Sequence, residues 1–113
     1  MQELVRSGKA RAVGLSNFSI SELADIIPHE SDIPISCNQV EVHPWLPNNE
    51  LIAFAKENGI LTTCFSPFAG QKSNGQTLLK DDFVLKLAEE NGLNVGQMLQ
   101  SWAVQRKLFQ SIS

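Results

Sequence analysis

The sequence holds 113 residues, 42% of them hydrophobic and 19% charged, which suits a single domain over residues 1–113 with one modest core and excludes wholesale disorder. Nine basic against twelve acidic side chains leave a net charge of −3, so no phosphate-backbone footprint is expected and nucleic acid is not a predicted partner. No apolar run reaches the ~18–20 residues of a membrane span, and Met1-Gln2-Glu3 opens a polar helical pattern rather than a secretory segment. Cys37 and Cys64 lie in apolar runs without Cys or His at metal spacing, which predicts no metal site and a reduced, cytoplasmic setting.

In chain order, Met1 to Ser7 reads as a helix stopped by Gly8. Ala10 to Leu15 reads as a strand, bounded by Ser16-Asn17. Ser19 and Glu22 match a capping box for a helix with Leu23, Ile26 and Ile27 as its buried stripe and Pro28 at its end. Ile35 to Val42 is the second strand and holds Asn38 and Gln39. Pro44 and Pro47 then frame a loop, and Asn48 or Asn49 caps a helix that ends at Asn58-Gly59. Ile60 to Phe65 is the third strand, stopped by Ser66-Pro67. The Gly/Ser/Asn-rich stretch Ala69 to Gln76 reads as a mobile loop. Asp81-Asp82 caps a helix carrying Phe83, Val84, Leu87 and Ala88 and ended by Asn91-Gly92. Asn94 with Gln97 opens another through Met98, Leu99, Trp102 and Ala103. Leu108 to Ser113 reads as a fourth strand.

Continuous apolar strands alternating with amphipathic helices imply right-handed βαβ units and a parallel sheet. No G-x-G-x-x-G follows any strand, which weakens a doubly wound dinucleotide fold. The predicted class is α/β, a partial (β/α)8 TIM barrel of about four βα units. Its outer strands, Ala10 to Leu15 and Leu108 to Ser113, would be open edges with no bulge signal. Its inward face would include Val13, Val40 and Leu61 or Thr62, and two such halves could associate.

Barrels of this kind carry function at the C-terminal ends of strands. Those ends hold Ser16-Asn17, Asn38-Gln39 and Phe65-Ser66. Amides recognise a carboxamide reciprocally, and an aromatic ring stacks on a flat heterocycle, so a nicotinamide fits. The same residues also read as a turn asparagine, a rim glutamine and a core aromatic.

Gly8-Lys9-Ala10-Arg11-Ala12-Val13-Gly14-Leu15-Ser16-Asn17-Phe18 resembles the G-x-x-R-x-I-G-V-S-N-F strand of the aldo-keto reductases. Asn38-Gln39-Val40-Glu41-Val42-His43-Pro44 is similar to their N-Q-x-E-x-H-P segment, and Ile60 to Phe68 to their G-I-x-x-x-A-Y-S-P-L strand. The resemblance implies a barrel that reduces aldehydes and ketones with NADPH, using neither metal nor flavin. It places Ser16, Asn17 and Gln39 at the nicotinamide carboxamide. Phe65 falls at the stacking aromatic, usually tyrosine, where only the hydroxyl is lost. Ser66, Phe68 and Gly70 fall in the stretch along the pyrophosphate.

The resemblance covers the last four strands of the barrel, whereas the family's catalytic Asp, Tyr, Lys and His lie on the first four, so no catalytic residue is assigned. The chain has no tyrosine, the family's general acid. Gln105 to Ser113 also lacks the family's I-P-K-S segment, whose basic residue meets the adenosine 2′-phosphate. These departures point to an interior piece of an NADPH-dependent reductase acting on small carbonyl compounds, inactive by itself. A non-catalytic nucleotide-binding or half-barrel interaction module and an inactive degenerate copy are the alternative readings. Of the remaining residues, His43 reads as structural despite Glu41 nearby and His29 as a solvated loop residue. Trp45 reads as a pocket border or a loop anchor, and Trp102 and Cys64 as core. Asn17-Phe18-Ser19 is a formal glycosylation sequon, for which the carboxamide role is preferred.

Overall fold

A computed structural model describes residues 1–29 and 32–110, which gather into two compact units, residues 1–40 with 48–63 and residues 41–47 with those from 64 onward. The elements are α1 (Gln2–Arg6), β1 (Val13–Ser16), α2 (Ile20–Ile26), β2 (Ile35–Glu41), α3 (Asn49–Glu57), β3 (Leu61–Phe65), α4 (Asp82–Glu90), α5 (Val95–Gln105) and β4 (Phe109–Gln110). The strands order β1-β2-β3-β4, with β1 and β2 parallel, so the expected α/β pattern of a partial barrel is realised.

Local chemistry sets the helix starts. Ser19 and Glu22 form the capping box of α2, the Ser19 N–H donating to Glu22 Oε2 at 2.8 Å and the Glu22 N–H to Ser19 Oγ at 3.4 Å. Asn94 and Gln97 repeat it at α5, at 3.0 and 2.9 Å. Asp81 Oδ1 accepts from the Phe83 and Val84 N–H groups at the start of α4. Asn48 is the exception. It occupies the cap position of α3 at φ +47 and makes no side-chain cap bond.

Three helices end alike. At α3 the Gly59 N–H donates to the Lys56 carbonyl and the Ile60 N–H to the Ala55 carbonyl. Gly92 and Leu93 bond Glu89 and Ala88 the same way at α4, and Lys107 and Leu108 bond Val104 and Ala103 at α5. This is the Schellman arrangement, with a left-handed residue followed by an apolar one. Ile60, Leu108 and the three alanines are all buried.

The first unit packs Leu23, Ile35, Ala55 and Ile60 together, with Leu15, Phe18, Leu51 and Phe54 against them. The second packs Leu78, Val84 and Leu99, with Trp45, Phe68, Val95 and Met98 around them.

Several expectations are corrected. The first strand begins at Val13 and includes Ser16, because the Ala10 N–H is spent on the Leu4 carbonyl at the end of α1. Pro28 lies within a 3₁₀ turn, Ile27–His29, that extends α2, and Ile26 and Ile27 are only half-buried. Of the apolar residues carried by α4, whose burial the sequence pattern leaves open, Val84 and Ala88 are buried and Phe83 (74%) and Leu87 are exposed; Leu78, from the turn before α4, packs beside Val84. Trp102 is half-buried, with the Arg106 guanidinium 4.7 Å from its ring centroid. Val40 and Thr62 are buried, whereas Leu61, the expected alternative to Thr62, is 55% exposed. The edge strand β1 carries an irregularity, a shift of register between Val13 and Gly14. Of the strand expected over Leu108 to Ser113, Phe109–Gln110 is formed and residues 111–113 lie outside the described residues.

Candidate functional site

In the first unit the site residues meet at the end of β1. The parallel register sets Ser16 against Gln39. The Gln39 main-chain carbonyl accepts from Ser16 Oγ at 3.0 Å and from the Asn17 N–H at 2.9 Å. Two strands thus fasten Ser16, Asn17 and Gln39 together where such sheets place their chemistry. Asn17 turns the chain out of the strand at φ +60, a conformation asparagine tolerates better than most side chains.

The Ser16 proton is committed to Gln39, so its hydroxyl can only accept from a ligand. The amides of Asn17, exposed, and Gln39, half-buried, are unpaired among the described residues, and each offers two donors and one acceptor. Such a set can bind a carboxamide in both directions.

A close strand approach supports this geometry. A Cβ at Gly14 would lie 2.6 Å from Cys37 Sγ and 3.2 Å from the Cys37 carbonyl oxygen. Gly14 and Cys37 therefore share one face of the sheet, with Ser16 and Gln39, while Leu15 packs into the core on the other.

Sequence reasoning missed the role of Asn38. It is 1% exposed, its Nδ2 donates to the Phe18 carbonyl at 2.9 Å, and its Oδ1 accepts from the Phe18 N–H at 3.3 Å. The signal was present: adjacent strand residues face opposite sides, so Asn38 and Gln39 cannot both line one site. A buried asparagine must then find its own partners.

In the second unit Phe65 closes β3, half-buried, and its carbonyl accepts from the Val42 N–H at 3.4 Å. Ser66 follows at φ +51, an uncommon conformation for serine. Its carbonyl takes the Ala69 N–H at 2.9 Å, closing a turn with Pro67 in the second position. Phe68 packs against the Leu78 cluster, so its ring is engaged and its main chain is what it can offer an anion. Gly70 is exposed, and a Cβ there would meet nothing within 4 Å. The loop beyond is internally bonded: the Lys72 N–H donates to the Gln76 carbonyl at 2.9 Å and the Gly75 N–H to the Lys72 carbonyl at 2.8 Å. Lys72 Nζ stands 3.8 Å from the centre of the half-buried Trp45 ring.

His43 is 6% exposed, with Nε2 3.1 Å from Glu41 Oε1 and Nδ1 buried without a partner among the described residues, an inward placement that suits its structural reading. Cys64 is buried, as expected of core filler, and burial pushes its thiol pKa up; Cys37 is half-buried, and both thiols are free.

Known proteins share this arrangement. The model of the aldo/keto reductase family matches residues 1–112. The aldehyde reductase YPR1 of Saccharomyces cerevisiae is 43% identical over 108 residues, covering 94% of this chain and 33% of its own length. The glycerol 2-dehydrogenase (NADP(+)) of the same yeast is 43% identical over 107 residues, with the same two shares. The aldose reductase structure from Schistosoma japonicum superposes with a TM-score of 0.84 at 30% identity, covering all of this chain and 36% of that one. The chain spans about a third of the length of the curated relatives it matches. With the matched motifs, the strand order and the superposition in agreement, the chain belongs to the aldo/keto reductase family.

Proposed function

We propose that this chain carries the nicotinamide-holding part of an NADPH-dependent reductase that converts aldehydes and ketones to alcohols. The observation that carries the reading is the joining of Ser16, Asn17 and Gln39 through one carbonyl, with two amides beside it that are unpaired among the described residues. The names of the yeast relatives, an aldehyde reductase and an NADP(+)-linked dehydrogenase, support the reaction class and the cofactor. The residues present fit the nicotinamide end: the amides of Asn17 and Gln39 exchange hydrogen bonds with the carboxamide, and Ser16 accepts one. In the second unit the Phe65 face serves for stacking, and the main chain at Ser66, Phe68 and Gly70 serves the pyrophosphate. When bound, NADPH supplies the hydride that reduces the carbonyl carbon.

The 113 residues contain no tyrosine, so the family's proton donor to the carbonyl oxygen is not among them. That favours, for these residues by themselves, nucleotide binding without turnover. Free thiols at Cys37 and Cys64 support a reducing, cytoplasmic setting, and no helix among the described residues is long and apolar enough to cross a membrane. Self-association through the outer strands belongs to the same reading, restrained at β1 by the break in register.

Backbone amide shifts recorded while the chain is titrated with NADPH test the assignment. Shifts concentrated at Ser16, Asn17, Gln39, Phe65 and Gly70 are expected. A saturable response confined to other residues would contradict it.

A further inference from the structure

Asn38 and Gln39 are neighbours in β2 that face opposite sides of the sheet. Gln39 holds the end of β1 through its main-chain carbonyl, which binds Ser16 Oγ and the Asn17 N–H. Asn38 holds the next residue, Phe18, by both its N–H and its carbonyl. Asn17 is therefore tied before and after, and it is the residue held at φ +60. Left-handed conformations of non-glycine residues persist where the surroundings over-determine them.

We propose that Asn38 is the positioning residue of the carboxamide site. Buried at 1% exposure, it reaches no ligand; it fixes the Phe18 main chain so that Asn17 keeps its left-handed turn and presents its amide at the strand end. The proposal rests on the reading of Ser16, Asn17 and Gln39 as carboxamide holders. The Phe18 clamp itself does not.

Amide hydrogen exchange on the 113-residue chain tests the clamp without any ligand. In Asn38→Ala the Asn17 and Phe18 N–H groups should exchange about tenfold faster or more, as expected for loss of a buried hydrogen bond. The Leu23 and Ile60 N–H groups, which are bonded within the same unit, should hold their wild-type rates within about twofold. Uniform acceleration, or an unchanged Asn17, overturns the proposal. Asn38→Asp provides the second variant. Its protonated carboxyl again offers one donor and one acceptor, whereas the ionised form offers acceptors only and faces the Phe18 carbonyl. After correction for intrinsic rates, protection at Asn17 should recover in acid and disappear at neutral pH; equal protection at both overturns the clamp.

NADPH titration supplies the functional readout. Asn38→Ala and Asn17→Ala should each weaken binding about tenfold, and the double variant no more than Asn17→Ala, because one variant misplaces the amide that the other deletes. Additive losses would make Asn38 merely structural and overturn positioning. A wild-type chain that does not bind NADPH refutes the carboxamide reading, and the exchange rates then decide the role of Asn38.

Discussion

The amide of Asn38 and the main chain of Phe18 bond in both directions, at 2.9 and 3.3 Å, adding one side-chain rung to the β1–β2 ladder after β1 has ended. Replacing Asn38 with leucine leaves both Phe18 groups unpaired beside the Leu23 core. A loss of ~1–3 kcal/mol is expected from the desolvation of orphaned polar groups, measured by urea unfolding. A leucine variant as stable as the parent would show that water reaches Phe18.

Gly14 lets β1 approach β2 beside Ser16. Gly14→Ala drives its methyl into Cys37 Sγ and against the Cys37 carbonyl, 2.6 and 3.2 Å from the new carbon. Overpacking of this kind costs ~1–3 kcal/mol. Adding Cys37→Ala removes the sulfur but not the carbonyl, so the pair should recover part of the loss. Independent, additive losses in the four-member cycle would disprove the steric account.

The three Schellman ends differ in one residue. Gly59 and Gly92 sit at φ +73 and +66, whereas Lys107 holds φ +59 with a side chain. Gly59→Ala and Gly92→Ala should each cost ~1 kcal/mol, and Lys107→Gly should be stabilising by a fraction of that. Thermal melts of the three variants check the opposite signs; a destabilised Lys107→Gly would contradict the argument.

The Ser19 hydroxyl and N–H hold the Glu22 carboxylate below its ordinary pKa. A carboxylate lowered on folding binds its proton more weakly in the native state. Its stabilising effect is therefore present above the unfolded pKa of about 4.5 and is lost as pH falls through the lower native value. Glu22→Gln should flatten that acid limb of the stability profile while leaving the profile above pH ~6 parallel to the parent. An unchanged acid limb would show that the capping box carries no charge-dependent stability.

The helix starts at Ser19, Asp81 and Asn94 were legible in the sequence because capping is settled within four residues. The strand-end grouping of Ser16, Asn17 and Gln39 was legible as motif, and the register supplied its physical cause. What escaped depended on partners distant in sequence or on neighbouring elements. Leu78, in the turn before α4, packs with Val84 and Leu99 while Phe83 is exposed, a choice set by neighbouring elements that the apolar residues of one helix do not reveal. The strand start at Val13 depends on a bond from Ala10 back to Leu4. Asn38 escaped because its partner is a main chain 20 residues away.

The role proposed for these residues is to hold the nicotinamide of NADPH. Titration of the chain with NADPH, followed by the cofactor's own fluorescence, tests it most directly alongside Gln39→Ala and Phe65→Ala. Saturable binding by the parent is expected, weakened about tenfold or more by each variant as an amide partner or a stacking face is lost. Binding of the same strength in the parent and in the variant carrying both substitutions would contradict it.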